Sequence, residues 1–166
     1  MKKFFVIIAA ALAFSLTASA QREFVPYVNL GVTTRVNGFF GSIAHPGGDL
    51  SVGFRNYNQD AFVSFAYGAE AFATVTPTNE KALFGAYAIP FIGVAIGPHG
   101  FKVFPHSGFM AGYNNELGRF NVGTKSGMAF DIGDHITLDL VNYQFIGENW
   151  IFNTTWISAV NFIWRF

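Results

Sequence analysis

The sequence predicts an all-β fold, an antiparallel up-and-down β-barrel of about eight strands. Three observations carry that expectation. Apolar and polar residues alternate with period two through segment after segment of about ten residues, which marks strands with two chemically different faces. The 166-residue chain is 51% hydrophobic but only 12% charged, too thinly charged to cover an ordinary soluble domain. No stretch after residue 20 can cross a bilayer as a helix. The longest apolar run, Ala82 to Gly97, is shorter than a span requires and is broken by Gly85, Pro90, Gly93 and Gly97.

The first twenty residues have their own pattern. Lys2 and Lys3 form a positive start, Phe4 to Leu12 is continuously apolar, and Ala18-Ser19-Ala20 supplies the small residues of a cleavage site. Residues 1–20 are therefore expected to be a cleaved signal peptide and residues 21–166 a single barrel domain. Losing Lys2 and Lys3 takes the 10 basic residues to 8 against 10 acidic ones, net −2. Cysteine is absent, which excludes disulfides, thiolate metal sites and a Cys nucleophile together.

The strands follow in order. Val28, Leu30, Val32, Thr34 and Val36 alternate with Asn29, Gly31, Thr33 and Arg35. Leu50, Val52 and Phe54 alternate with Asp49, Ser51, Gly53 and Arg55, and Val63, Phe65, Tyr67 and Ala69 with Ser64, Ala66, Gly68 and Glu70. The fourth segment, Ala82 to Gly97, is apolar on both faces, so its phase stays open, and Pro90 is expected to mark a bulge or kink. In the fifth, Phe101, Val103, Phe109 and Tyr113 oppose Lys102, His106 and Gly112. Phe120, Val122, Met128 and Phe130 then oppose Arg119, Asn121, Lys125 and Asp131, and Ile136, Leu138 and Leu140 oppose Thr137 and Asp139. The last sets Trp156, Val160, Phe162, Trp164 and Phe166 against Asn161 and Arg165.

Connections come in two sets. Residues 57–60, 97–100 and 131–134 form short turns, whereas Asn37 to Gly47, Thr74 to Lys81, Asn114 to Leu117 and Ile146 to Asn153 are longer on the whole. Short turns at one end and longer loops at the other is the asymmetry of a membrane barrel.

Alternation alone leaves open a lipocalin-like soluble barrel with its apolar face inside and its charges in water, and charge placement favours the membrane barrel over it. Arg35, Asp49, Arg55, Asp60, Glu70, Lys102, Arg119, Lys125, Asp131, Asp139 and Arg165 all fall on the polar parity of their segments. A charge on the lipid face near the midplane costs about 2–4 kcal/mol, so the uncharged apolar parity is read as the outside of a transmembrane barrel. Two aromatic belts agree with that reading. Phe24, Tyr57, Phe101, Phe130, Trp164 and Phe166 fall near one set of strand ends, and Phe39, Phe40, Tyr113, Tyr143, Trp150 and Phe152 near the other.

The chain closes on Ala159-Val160-Asn161-Phe162-Ile163-Trp164-Arg165-Phe166, alternating aromatics that end on Phe. This resembles the C-terminal strand signature of bacterial outer-membrane proteins. Size, strand count and N-terminal segment together resemble the small OmpA/OmpX-type eight-stranded barrels. That resemblance implies the bacterial outer membrane, contact with its lipid and lipopolysaccharide, and delivery by the barrel-assembly machinery. Trp164 and Phe166 would then be the assembly signal.

Little in the sequence points to chemistry. His106 and Ser107 are adjacent, so a regular strand sends them to opposite faces and they form no dyad, although His106 could meet Ser51 or Ser64 from another strand. The deacylase barrels of this architecture carry His and Ser two apart, a spacing missing here. His45, His99 and His135 have no ligand spacing, and no Gly-rich phosphate loop follows a strand, so neither metal nor cofactor is expected. Inside a narrow barrel, Arg55, Glu70, Arg119, Lys125 and Asp139 are expected to form a salt-bridge network. The sequence thus predicts a monomeric, non-enzymatic outer-membrane protein with a structural or surface-interaction role and no nucleic-acid partner. A narrow pore, a hydrophobic-ligand channel using inward Phe62, Phe72, Ile157 and Ile163, and a lipid-A-modifying enzyme are the alternatives.

Overall fold

A computed structural model describes residues 23–37, 43–77, 82–115, 119–145 and 155–166. Eight strands run β1 (Glu23–Asn37), β2 (Ile43–Tyr57), β3 (Val63–Pro77), β4 (Ala82–Ile96), β5 (Phe101–Asn114), β6 (Arg119–Ile132), β7 (Ile136–Phe145) and β8 (Thr155–Arg165). Each pairs antiparallel with the next, and β8 closes on β1. The proposed signal peptide lies outside the described residues.

The register fixes the width of the barrel. Partners followed from Tyr27 pass through Gly53, Glu70 and Ile89. Continuity of the Ala88–Ala111 pairing sets Ile89 opposite Met110. The path then runs through Gly123, Phe145 and Thr155 back to Asn37, which is 10 residues further along β1. A shear of this size over eight strands tilts them by about 40° and leaves a lumen that side chains can fill. Strands of 15 residues then rise by roughly 38 Å, more than the ~25 Å apolar band of a membrane barrel.

That excess length corrects the expected loops. Ile43 to Gly47, with His45 among them, belong to β2, and Thr74 to Pro77 belong to β3. At the short-turn end Tyr57, Asp131 and Ile132 are strand residues, and Gly133 takes a positive φ of 61° in the β6–β7 turn. Alternation fades where a strand leaves the apolar layer because both faces then meet water, but backbone pairing continues.

The open phase of β4 resolves with Tyr87, Ile89, Phe91 and Ala95 inward and Phe84, Ile92, Val94 and Ile96 outward. Pro90 causes no bulge: β3 and β4 stay in unbroken register from Val63↔Ile96 to Pro77↔Ala82. The ladder breaks instead between Thr34 and Val36, opposite Pro46. Pro90 leaves its mark on the other seam, where the β4–β5 pairing skips from Ala88↔Ala111 to Phe91↔Gly108 because a proline has no N–H to donate.

Among the described residues, every outward strand position is uncharged. Leu30, Val32, Leu50, Val52, Phe109 and Phe120 are among the exposed apolar side chains. Phe24, Phe101, Trp164 and Phe166 are exposed at the short-turn end and Tyr113 at the other. Tyr57 and Tyr143 are not belt residues: both are buried, because their odd numbering continues the inward parity of Arg55 and Asp139. Phe39, Phe40, Trp150 and Phe152 lie outside the described residues.

Leu50 sits at the centre of β2, half exposed on the outer wall, whereas Val122 lies near the loop end of β6. Leu50→Arg should destabilise the barrel in lipid vesicles by about 2–4 kcal/mol, Val122→Arg by less, and inward Thr137→Ser by less still. Urea unfolding of the three variants in vesicles checks the order. Equal, small effects would mean that the outer wall does not meet lipid.

Candidate functional site in the barrel interior

Inward parity brings charges from six strands into the lumen. Asp49, Arg55, Glu70, Lys102, Lys125, Asp131, Asp139 and Arg165 are all buried, four acids against four bases. Of the expected network, Arg55, Glu70, Lys125 and Asp139 are placed here, and the side chain of Arg119 lies outside the described residues. Asp60 is not inward: it is exposed in the β2–β3 turn, where His99 Nδ1 approaches it at 3.3 Å.

The four placed residues divide between two clusters. In the middle of the barrel Lys125 Nζ donates to Glu70 Oε1 at 2.7 Å, and Tyr27 donates its hydroxyl to Glu70 Oε2 at 2.7 Å. Lys125 also faces Asp139 Oδ2 at 3.9 Å, while His106 Nε2 meets Asp139 Oδ1 at 2.9 Å. The ring of His106 lies over Gly127, where a Cβ would come within about 3 Å of the imidazole, so this approach needs a glycine. Lys125 further sits over the rings of Phe91 and Tyr143.

Arg55 belongs to the second cluster, nearer the short turns. Asp131 is held there between Arg55 at 3.2 Å and Arg165 at 3.4 Å. Thr137 and Tyr57 donate their hydroxyls to Asp131 at 2.5 and 2.9 Å. Arg165 also donates to Tyr57 and to the carbonyls of Gly133 and Ile136, and Lys102 donates to the carbonyls of Ala61 and Gly97. These bonds seal the short-turn end with cations. Asp131 and Arg165 show the polar parity in the sequence, but their meeting with Arg55 depends on closure of β8 onto β1.

Above both lies Asp49, met by amides rather than by a cation among the described residues. Asn161 donates to both carboxylate oxygens at 3.1 and 3.2 Å, with its own oxygen turned toward Asn29 and Tyr143. An apolar cluster that includes Phe72, Tyr87, Met110, Tyr143 and Phe145 fills the remaining interior toward the loops. Phe72 and Ile157 are packed in this cluster and Ile163 in a second one with Tyr27 and Phe91, whereas Phe62 is exposed in the β2–β3 connection.

Ser107 points outward while His106 points inward. His106 does not meet Ser51 or Ser64 either: Ser51 accepts from Asn29 and Ser64 from the backbone N–H of Asn58. Between the two charged clusters lies a small cavity of about 10 Å³. It is lined by Tyr27, Arg55, Phe91, His106, Lys125 and Asp139 among others and has room for about one water.

No family model matches the chain, and no curated protein matches it in sequence. In structure it is similar to the crystal structure of Ail, the attachment invasion locus protein of Yersinia pestis, in complex with the heparin analogue sucrose octasulfate. The TM-score is 0.52 at 11% identity, covering 87% of this chain and 99% of that one. The shared feature is the fold, a closed antiparallel barrel of eight strands.

Removing one partner of a buried ion pair strands the other, at a cost of about 3–5 kcal/mol. Glu70→Gln should therefore destabilise the barrel by about that amount, because among the described residues the carboxylate left to Lys125 is Asp139 at 3.9 Å. The double variant Glu70→Gln, Lys125→Met should recover part of the loss. Urea unfolding measures both, and unchanged stability in the single variant would mean that water reaches these groups.

Proposed function

We propose that this chain is an integral protein of the bacterial outer membrane whose barrel is an anchor and whose role is structural or surface-interacting, without catalysis. The observation that carries this reading is the filled, charge-balanced lumen. A pore needs a continuous water path, whereas here the cations of Arg55, Arg165 and Lys102 are tied to carboxylate, hydroxyl and carbonyl oxygens at the short-turn end. A hydrophobic-ligand channel needs an apolar cavity, and Phe72, Tyr87, Tyr143 and Phe145 pack on one another where it would open. A hydrolase needs a nucleophile beside its base, and His106 has Asp139 on one nitrogen and no hydroxyl among the described residues on the other.

Surface interaction would then fall to the connections opposite the short turns. They carry Glu80, Glu116 and Glu148 against Lys81. This is a poor match for a polyanion such as the sucrose octasulfate in the Ail crystal, so recognition here rests on other chemistry.

Assembly follows from the closing strand. Trp164 and Phe166 both face outward at the short-turn end, Trp164 stacked on His135 with ring centroids 5.4 Å apart and Phe166 donating its backbone N–H to Pro26. Accessible from outside, they suit recognition by the assembly machinery before β8 closes on β1. Deleting Phe166 should slow insertion and lower outer-membrane levels, read by fractionation and by the heat-modifiable shift of the folded barrel on gels. Planar-bilayer recordings of the intact chain should show no ohmic conductance, and its expression should leave lipid-A mass unchanged. A selective conductance or a lipid-A shift would replace the anchor reading with the pore or the enzyme.

A further inference from the structure

The outer wall is not uniformly apolar. Outward Ser107 on β5 pairs directly with Ser126 on β6, Ser126 with Asn142 on β7, Asn142 with Ser158 on β8, and Ser158 with Thr34 on β1. One unbroken row of uncharged polar side chains thus crosses five adjacent strands. It starts midway along β5 and, because the strands are tilted, climbs to the loop end of β1. Thr124 and Gln144, themselves opposite one another, widen the row into a patch on β6 and β7. On β2, β3 and β4 the outward positions are Leu50, Val52, Phe65, Val75, Ile92 and their like, and Asn56 and the Tyr67 paired with it near the short turns are the polar exceptions among the described residues.

Local bonds satisfy only part of this patch. Ser107 donates to the carbonyl of Lys125 at 3.2 Å, and Asn142 donates to Ser158 at 3.3 Å. Ser126, Thr124, Gln144 and Thr34 make no side-chain hydrogen bond to any described residue. In hydrocarbon such groups seek partners, since no water is there to supply them.

We propose that this patch is the contact by which two copies of the chain pair side by side in the membrane. The proposal rests on the outer-membrane reading above and departs from the monomer expected from sequence. Three features favour a second copy. Ser107 and Ser126 lie midway along their strands, deeper than lipid headgroups reach, so a partner there must be another protein. The patch holds no charge, so it does not select phosphate-bearing lipid. Hydroxyl and carboxamide groups each donate and accept, so the surface is its own complement about a two-fold axis, and its small serines permit close approach.

The chain has no cysteine, so single-cysteine variants report proximity cleanly. Ser126→Cys marks the patch, and Val52→Cys marks the apolar wall. Each purified variant is folded into phospholipid vesicles, floated on a density gradient, and treated with a short bifunctional maleimide. Ser126→Cys should give about ten-fold more doubled-mass product than Val52→Cys, because a two-fold axis through the patch brings identical residues together. Adding Asn142→Leu and Gln144→Leu to Ser126→Cys should return the yield to the Val52→Cys level. Equal yields from the two cysteines in floated protein overturn the pairing and leave the membrane reading intact. A chain that does not float overturns both. If adding lipopolysaccharide to the vesicles abolishes the Ser126→Cys product, glycolipid is the occupant and the proposal fails.

Discussion

A charged group that cannot reach water must reach an opposite charge or a dense set of hydrogen bonds, or it will not stay ionised. In this barrel that requirement acts across a lumen one or two side chains wide, set by eight strands with a shear of 10. Lys125 on β6 can meet Glu70 on β3 only if the strands between them hold their register, and Arg55 on β2 can meet Asp131 on β6 only if the sheet closes. The ion pairs therefore read out the whole ladder at once. A slip of one residue in any of the six strands that carry these charges would turn its inward charge out to the wall and strand the partner left inside.

The same period-two constraint builds the exterior. Each step that sends a charge inward sends its neighbour outward, so the apolar wall and the polar core come from one alternation. Aromatic residues take different roles on the two sides. Trp164 and Phe166 project at the rim, whereas Tyr27 and Tyr57 bring hydroxyls to Glu70 and Asp131 and cover the charges with apolar ring surface. Glycine enters for the opposite reason: Gly127 clears room for the His106 ring, which Asp139 then fixes in place.

A filled interior limits where function can reside. Rigid pairing in the middle and at the short-turn end leaves the connections at the far end and the outer wall as the surfaces free to vary. The likeness to Ail at 11% identity fits this division, since a fold can be kept by alternation and register while nearly every residue changes. What such barrels contact is then set by what their loops and walls display.

The sequence by itself determined the fold class, the strand count and which face is polar, because these depend on a local rule, the opposite direction of successive side chains in a strand. It also placed Arg55, Glu70, Lys125 and Asp139 inside, since parity needs no knowledge of neighbours. Parity holds for Tyr57 and Tyr143 as well, but nearness to a strand end is a weaker guide than position in the alternation, and the two tyrosines lie inside. Strand ends were less legible, because polar residues on both faces of Ile43 to Gly47 look like a loop while the backbone still pairs. The phase of β4 was hidden by apolar residues on both faces, and only its register against β3 and β5 assigned Ile89 and Phe91 to the core. Tertiary structure alone decided the partners: that Arg55 joins Asp131 rather than Glu70, that His106 meets Asp139 rather than a serine, and that Ser107, Ser126, Asn142, Ser158 and Thr34 line up. Those meetings depend on the shear of the closed barrel, which sums the register of all eight strands and is written in no single one of them.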